Sequence, residues 1–166
     1  MWRCFNYQSK IKQNNMEAKL RDFNEKLKVI QDFLDDHQQK YMLVGSGALL
    51  NCGIPLPRFC GDVDLEVIET EENAKMFKML QDATTPFYNH EYKGKKRNGK
   101  ELPFMFTYKD IKVNVWLVKA FNHTQWVWKN NMKIATVYSV LKKKMSYKRV
   151  KDFQDLNGII KTFMEL

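Results

Sequence analysis

Three carboxylates alternate with apolar residues in one short segment, at Asp62, Asp64 and Glu66. Successive side chains of a strand point to opposite faces, so this spacing predicts a strand that carries the three acids on one face. Carboxylates held side by side repel one another unless a cation lies among them. Mg²⁺ is typically bound by one or two carboxylates together with substrate phosphates. The segment therefore predicts a divalent-metal site, with Asp62 and Asp64 as its ligands.

A glycine-rich turn, Gly45-Ser46-Gly47, lies upstream of the acids and follows a short apolar run that begins at Tyr41. Glycine allows backbone N–H groups to approach a phosphate closely. Either feature alone has a structural explanation, as a tight turn or as an edge strand with a solvated acidic face. A phosphate-binding turn and a pair of metal-binding acids together favour a site for phosphoryl transfer.

These residues carry a resemblance to a known family. Gly45-Ser46 followed by Asp62-x-Asp64 resembles the signature of the polymerase-beta-like nucleotidyltransferases. With Arg58 included, the string is most similar to the abortive-infection-type nucleotidyltransferase toxins and the minimal nucleotidyltransferases of bacteria. A second motif, Lys151-Asp152-x-x-Asp155-Leu156, resembles the Arg-Asp-x-x-Asp-Leu helix of the toxin branch. The two motifs together span about residues 41 to 156, which is most of the chain.

The resemblance implies an α/β (α+β) nucleotidyltransferase fold with a mixed, mainly antiparallel sheet of four or five strands flanked by helices. It implies Mg²⁺ or Mn²⁺ at Asp62 and Asp64, and an NTP whose phosphates contact Gly45, Ser46 and Arg58. Arg58 could instead form an ion pair with one of the two acids. The implied reaction moves an NMP to a hydroxyl acceptor on a protein, a tRNA or a small molecule. The toxin branch also implies a cognate antitoxin.

The chain departs from the family at the third carboxylate, which is expected on a later strand. The matching strand is Ile111 to Val118, and Asn114 occupies the place of that acid. Asparagine keeps a carbonyl oxygen but brings no charge and cannot accept a proton. Glu66 lies on the same predicted face as Asp64 and could compensate. The candidates are therefore an active enzyme that uses Glu66, or a catalytically impaired domain retained for nucleotide binding or regulation.

The net charge of +9 implies attraction to polyanions, and it leaves a nucleic-acid-binding module as a further alternative. The basic residues gather at positions 93–100 and 142–151. A hairpin loop explains the first cluster. The second lies beside the second motif, where Lys143 and Lys151 are candidates to neutralise the triphosphate of a nucleotide.

A chain of 166 residues suits one domain with a proper core, here residues 1–166. No apolar run approaches the ~20 residues that a bilayer span requires, so we expect no membrane partner. The N-terminal residues lack the long apolar core of a signal peptide. Together with cysteines that show no zinc-binding spacing, this predicts a cytoplasmic protein with reduced thiols.

Hydrophobic periodicity predicts the main elements. Residues 1–15 are expected to form an arm, followed by an amphipathic helix from Met16 to about His37. Residues 133–166 are expected to form a C-terminal helical region. Further strands are predicted at 87–92, 102–108 and 111–118, with a tight hairpin at Lys109-Asp110 between the last two.

Overall fold

The computed structural model describes residues 2–84, 103–122 and 125–164, and within these ranges it is an α+β structure of five helices and six strands. In chain order these are α1 Trp2–Asp36, β1 Tyr41–Val44, α2 Gly45–Asn51, β2 Asp62–Ile68, α3 Glu71–Thr84, β3 Phe104–Tyr108, β4 Ile111–Val118, β5 Trp126–Lys129, β6 Met132–Ala135, α4 Val137–Tyr147 and α5 Val150–Met164. The predicted strand at 87–92 and the basic segment at 93–100 lie outside the described residues.

The six strands form one sheet in the order β3-β4-β2-β1-β6-β5. The pairs β1–β2, β3–β4 and β5–β6 are antiparallel, whereas β2–β4 and β1–β6 are parallel. The prediction of a mixed, mainly antiparallel sheet is therefore confirmed. The predicted count of four or five strands was wrong, because the hairpin of β5 and β6 adds two strands at one edge.

The β5–β6 hairpin turns at Asn130 and Asn131, whose φ angles are 53° and 58°. Two central residues with positive φ are typical of the tight turns that match the twist of a hairpin, and asparagine tolerates them. The predicted helix from residue 133 was wrong over its first turn, because residues 133–135 belong to β6. Helix α4 begins at Val137, behind Thr136, whose side chain accepts a hydrogen bond from the Ser139 N–H.

Helix α1 extends further toward the N-terminus than its apolar pattern predicted. It begins at Trp2, so most of residues 1–15 are helical and do not form a separate arm. The apolar positions from Phe23 to Leu34 are buried in the core, as predicted. The sequence before Met16 shows no clear apolar period, so hydrophobic periodicity gave no signal for this part of the helix.

Helices α1 and α3 pack on the apolar face of the sheet. Phe33 of α1 lies 4.7 Å from Tyr108 between ring centroids, and Phe77 of α3 stacks on Phe106 at 5.7 Å. Phe106 pairs with Val113 in register, so these contacts lie on the valine face of β4. The alternation of strand side chains places the acids on the opposite face.

The tight turn predicted between β3 and β4 is confirmed. Lys109 and Asp110 form it, with φ angles of 46° and 63°. No helix among the described residues is both long and apolar enough to cross a bilayer.

Candidate metal and nucleotide site

Strands β2 and β4 run parallel with Asp64 directly beside Asn114. The Asn114 side-chain amide donates a hydrogen bond to Asp64 Oδ1 at 2.8 Å. Asn114, the residue that the family resemblance assigns to the third acidic position, therefore contacts Asp64 directly. The asparagine side chain is a neutral hydrogen-bond donor and acceptor, whereas the resemblance implies a carboxylate at this position.

Gly45 begins α2 at the end of β1 and abuts the same carboxylate. Its φ angle is +68°, in the left-handed region that favours glycine. A Cβ at this position would lie 2.5 Å from Asp64 Oδ2, closer than two such atoms can approach. The glycine turn and the acidic strand thus meet at Asp64, and no larger residue fits at Gly45 without displacing the acid.

The surroundings of Asp64 disfavour its ionised form. Burial raises the pKa of Asp64 above its usual value, and the hydrogen bond from Asn114 opposes that rise. The charge of Asp62 raises the pKa further, while the positive charges of Lys151 and Lys144 lower it. Because the pKa of Asp64 is raised overall, ionising it costs free energy, and a bound cation would offset that cost.

Glu66 lies on the same face but makes a different contact. It is buried, at 3% exposure, and its Oε1 accepts a hydrogen bond from the backbone N–H of Asn122 at 2.9 Å. Glu66 thereby holds the segment that follows β4. Among the described ranges, no three His, Cys, Asp or Glu side chains come together as a metal-binding group. Since Glu66 is engaged with Asn122, the groups near Gly45 that could bind a metal are the carboxylates of Asp62 and Asp64 and the side-chain amide of Asn114.

Ser46 is buried and its hydroxyl is already engaged. It donates to Asp155 Oδ2 at 3.2 Å and accepts from Arg58 and Lys144, each also at 3.2 Å. A hydroxyl has one donor and two acceptor positions, so these contacts use its full capacity. The side chain of Ser46 can reach a phosphate only if this network opens.

Arg58 pairs with Asp155, at 3.2 Å, rather than with Asp62 or Asp64. Its guanidinium is about one-third exposed, at 35%, whereas Asp155 is fully buried. Two atoms of this pair, Arg58 Nε and Asp155 Oδ1, are buried without a hydrogen-bond partner in the described part of the chain. Such atoms need a water or a polar ligand.

Asp152 and Asp155 are held by Lys144, a buried lysine that the sequence analysis did not single out. Its ammonium lies 2.9 Å from Asp155 and 3.4 Å from Asp152, and all three residues are nearly inaccessible. Arg149 also donates three hydrogen bonds to Asp152, two from its side chain at 2.7 and 3.1 Å and one from its backbone N–H at 3.2 Å. Burial alone would raise the pKa of Asp152, but Arg149 and Lys144 outweigh it and lower the pKa. The second motif is therefore part of a buried ion-pair network.

The two lysines predicted to bind a nucleotide are placed differently. Lys151 is exposed, and its charge acts directly on Asp64. Lys143 lines a cavity of about 340 Å³ between α4 and the segment before β5. The acids also act on Tyr147: burial raises its pKa, Arg149 lowers it, and the charges of Asp64 and Glu66 raise it further. Only the fold identifies Tyr147, because its neighbours in the sequence are all basic or polar.

Comparison with known proteins gives little beyond the geometry. No protein-family model matches the sequence, and no curated protein is detectably similar. The structure is similar to that of an antigenic nucleotidyltransferase-like protein from Paracoccidioides brasiliensis. That match has 16% sequence identity and a TM-score of 0.45, and it covers 80% of this chain and 71% of the other. A similarity of this size establishes neither a shared fold nor a shared activity.

Proposed function

We propose that this protein is a Mg²⁺-dependent nucleotidyltransferase that moves an NMP from an NTP to a hydroxyl acceptor. The observation that carries the proposal is the contact among Gly45, Asp64 and Asn114. A glycine that cannot be enlarged lies against a half-buried acid, and that acid is hydrogen-bonded to an amide at the position where the resembled family has a third carboxylate. Structural needs alone do not call for an acid packed against a glycine of a turn.

The donor set suits Mg²⁺ when substrate completes the coordination. Asp62 and Asp64 would supply carboxylate oxygens, and Asn114 would supply its carbonyl oxygen if the amide rotated away from its present hydrogen bond. Mg²⁺ retains waters and takes substrate phosphates as its other ligands, so two carboxylates are enough to hold it. When bound, the ion would neutralise negative charge on the phosphates.

The remaining groups of the site position the substrate. Gly45 would let the backbone N–H groups of the turn approach a phosphate closely, and Lys151 and Arg58 would supply positive charge on the exposed side. Arg58 Nε is buried without a partner among the described residues, so the exposed part of the side chain is what would meet a phosphate oxygen. In the reaction the acceptor oxygen attacks the α-phosphorus and pyrophosphate leaves with the bonding electrons. The hydroxyl proton passes to a carboxylate of the site or to water.

A second candidate is a nucleotide-binding domain that does not transfer. Asn114 favours it, because a neutral amide contributes less to metal binding than a carboxylate and cannot act as a base. In that case Mg²⁺ and NTP would still bind at the acid pair. The acceptor class and a cognate antitoxin stay predictions of the family resemblance in either case.

Calorimetry with an NTP, with and without Mg²⁺, combined with an assay of pyrophosphate release, tests the proposal. The wild type should bind NTP only with Mg²⁺, and Asp64→Asn should abolish that binding. Asp110→Asn, in the exposed β3–β4 turn, is the matched control and should bind like the wild type. Wild-type affinity in Asp64→Asn would show that the site is misplaced.

The Asn114→Asp variant separates the two candidate functions. Restoring a carboxylate beside Asp64 should tighten Mg²⁺ binding in both cases. If the wild type already releases pyrophosphate, the enzyme is active with Asn114, and Glu66→Gln then tests whether Glu66 compensates. If the wild type stays at the uncatalysed background rate and Asn114→Asp exceeds that rate by ~10²–10⁴-fold, the range typical of a positioned base, the wild type is a binding domain.

A further inference from the structure

The edge hairpin of β5 and β6 exposes two tryptophans to solvent. Trp126 is 39% exposed and Trp128 65% exposed, and every residue of β5 is accessible. The two rings contact edge to face, with centroids 5.9 Å apart and planes at 87°. Large exposed aromatic side chains in one place are typical of an interaction surface.

These tryptophans stand on the same side of the sheet as the acids but at a distance from them. Across the sheet, Trp128 pairs with Lys133, Lys133 with Met42, and Met42 with Glu66. Trp128 and Glu66, the ends of this row of paired residues, are therefore separated by three strand spacings of ~4.8 Å, or about 14 Å. Met42 lies between them and is completely buried, so the tryptophan surface is separate from the candidate metal site.

The hairpin is held in place rather than left free. The Gln31 side chain of α1 donates to the carbonyl of Asn130 at 2.8 Å, and the Lys129 ammonium donates to the carbonyl of Asn51 at 2.7 Å. The Lys133 ammonium lies 4.6 Å from the centre of the Trp126 ring. A platform fixed in this way loses little conformational freedom when a ligand binds to it.

The stretch of sequence that contains the platform carries one sign of charge. Residues 111–151 contain nine lysines and one arginine, and no aspartate or glutamate. Two of these lysines, Lys142 and Lys143, line the cavity of about 340 Å³ together with Tyr138 and Gln125. Gln125 directly precedes β5, so the cavity and the tryptophans are adjacent. An exposed aromatic pair beside a cation-rich cavity suits a polyanion with flat faces.

We propose that Trp126, Trp128 and the adjoining Lys142 and Lys143 form a binding surface for an unpaired polynucleotide strand. Proteins that bind single strands combine a positively charged groove with aromatic rings on which bases stack. An acidic peptide would satisfy the lysines, but it would offer no regular series of flat faces to the tryptophans. This binding goes beyond the proposed transferase reaction and requires neither Mg²⁺ nor NTP.

Fluorescence anisotropy with labelled 12-nucleotide RNA and DNA, in the presence of EDTA, tests this surface. Trp128→Ala and Trp126→Ala should each weaken binding about tenfold or more, as base–aromatic stacking implies. Trp128→Phe should keep most of the affinity, because it keeps a ring. The Lys142→Glu/Lys143→Glu variant should weaken binding and reduce its dependence on salt. The relative affinities of the RNA and DNA arms identify which strand the surface prefers.

The matched charge control is Lys75→Glu/Lys78→Glu, two exposed lysines of α3 on the opposite side of the sheet. It should bind like the wild type, and an equal loss there would overturn the proposal in favour of diffuse electrostatics. Equal competition by a duplex or by poly-glutamate would also overturn it. So would wild-type affinity in both tryptophan variants, or a dimer that those variants dissociate. Asp64→Asn should bind the strand normally, so a failed metal site and a failed surface give different results.

Discussion

At the scale of single residues, the site depends on how closely Asp64 is surrounded. Asn114 of β4 donates to one of its carboxylate oxygens, and Gly45, at the start of α2, lies against the other. Burial and the neighbouring Asp62 raise its pKa, and only Asn114 and distant lysines oppose them. A carboxylate in this position destabilises the metal-free protein, as strained residues at functional sites commonly do.

Asp64→Asn should therefore raise the melting temperature of the metal-free protein at neutral pH. A carboxyl whose folded pKa is raised loses stability as pH increases from its usual value through the raised one. The difference in melting temperature between variant and wild type should consequently grow from pH 4 to pH 7. Calorimetric scans in EDTA measure it, with Asp110→Asn as control. If Asp64→Asn were less stable than the wild type at pH 7, the inference that ionised Asp64 destabilises the metal-free protein would be wrong.

The glycine of the turn permits a second comparison, between Gly45→Ala and Gly53→Ala. Both glycines have positive φ, so both variants should lose about 1–2 kcal/mol of unfolding free energy from backbone strain. Only at Gly45 would the new Cβ meet Asp64, since nothing lies within 4 Å of it at Gly53. Gly45→Ala should therefore also lose Mg²⁺-dependent NTP binding. Urea denaturation and calorimetry give the two quantities, and equal nucleotide affinity in both variants would contradict the contact.

At the scale of elements, a buried ion-pair network joins three helices. Lys144 of α4 contacts Asp152 and Asp155 of α5, and Asp155 also accepts from Ser46 of α2. Helix α2 begins with the glycine turn, so the network fixes the turn relative to the C-terminal helices. The network thereby gives Asp155 an indirect role at the site, through the position of Ser46.

Asp155→Asn should be strongly destabilising, by about 3–5 kcal/mol, because it leaves Lys144 and Arg58 with less compensating charge in a buried place. Asp32→Asn provides the contrast. Asp32 pairs with Lys28 at 2.6 Å, a shorter distance, but both side chains are exposed. Surface pairs contribute little, so this variant should unfold close to the wild-type midpoint in urea. Similar losses in both variants would mean that burial is not what gives the network its strength.

At the scale of the whole molecule, one sheet runs through all the described strands. Trp116 lies in β4, near one edge, and Trp126 and Trp128 lie in β5, at the other. The neighbouring strands between them share a continuous buried core. The prediction of a single domain at residues 1–166 therefore implies a single cooperative unfolding transition.

Two variants that keep different tryptophans test this cooperativity. With Trp2→Phe as the common background, Trp116→Phe reports from the β5 edge, and Trp126→Phe/Trp128→Phe reports from β4. Urea titrations followed by fluorescence and by circular dichroism should give coincident midpoints within each variant. A fluorescence transition in Trp116→Phe that precedes loss of secondary structure would show that the hairpin unfolds as a separate unit.

The sequence by itself determined the face of the acids, the glycine turn, and the place of Asn114. These follow from local rules, because strand alternation and turn chemistry act between near neighbours. The β5–β6 hairpin was missed, although its two asparagines between aromatic and apolar segments were a usable signal. The spacing of Ile134, Val137 and Val140 matched a helix. Val137 and Val140 do lie in α4, whereas pairing with β1 places Ile134 in β6.

Only the tertiary structure decided which charges meet. Arg58 stands four residues before Asp62, yet it pairs with Asp155 across 97 positions. Lys144 looked like one more solvated lysine in a basic run, and it is the one that the packing of α4 against α5 and α2 buries. Exposure likewise separates Trp126 and Trp128 of β5 from the buried apolar residues of β6, the strand with which β5 pairs. Burial and ion pairing depend on which elements pack together, and no spacing along the chain contains that information.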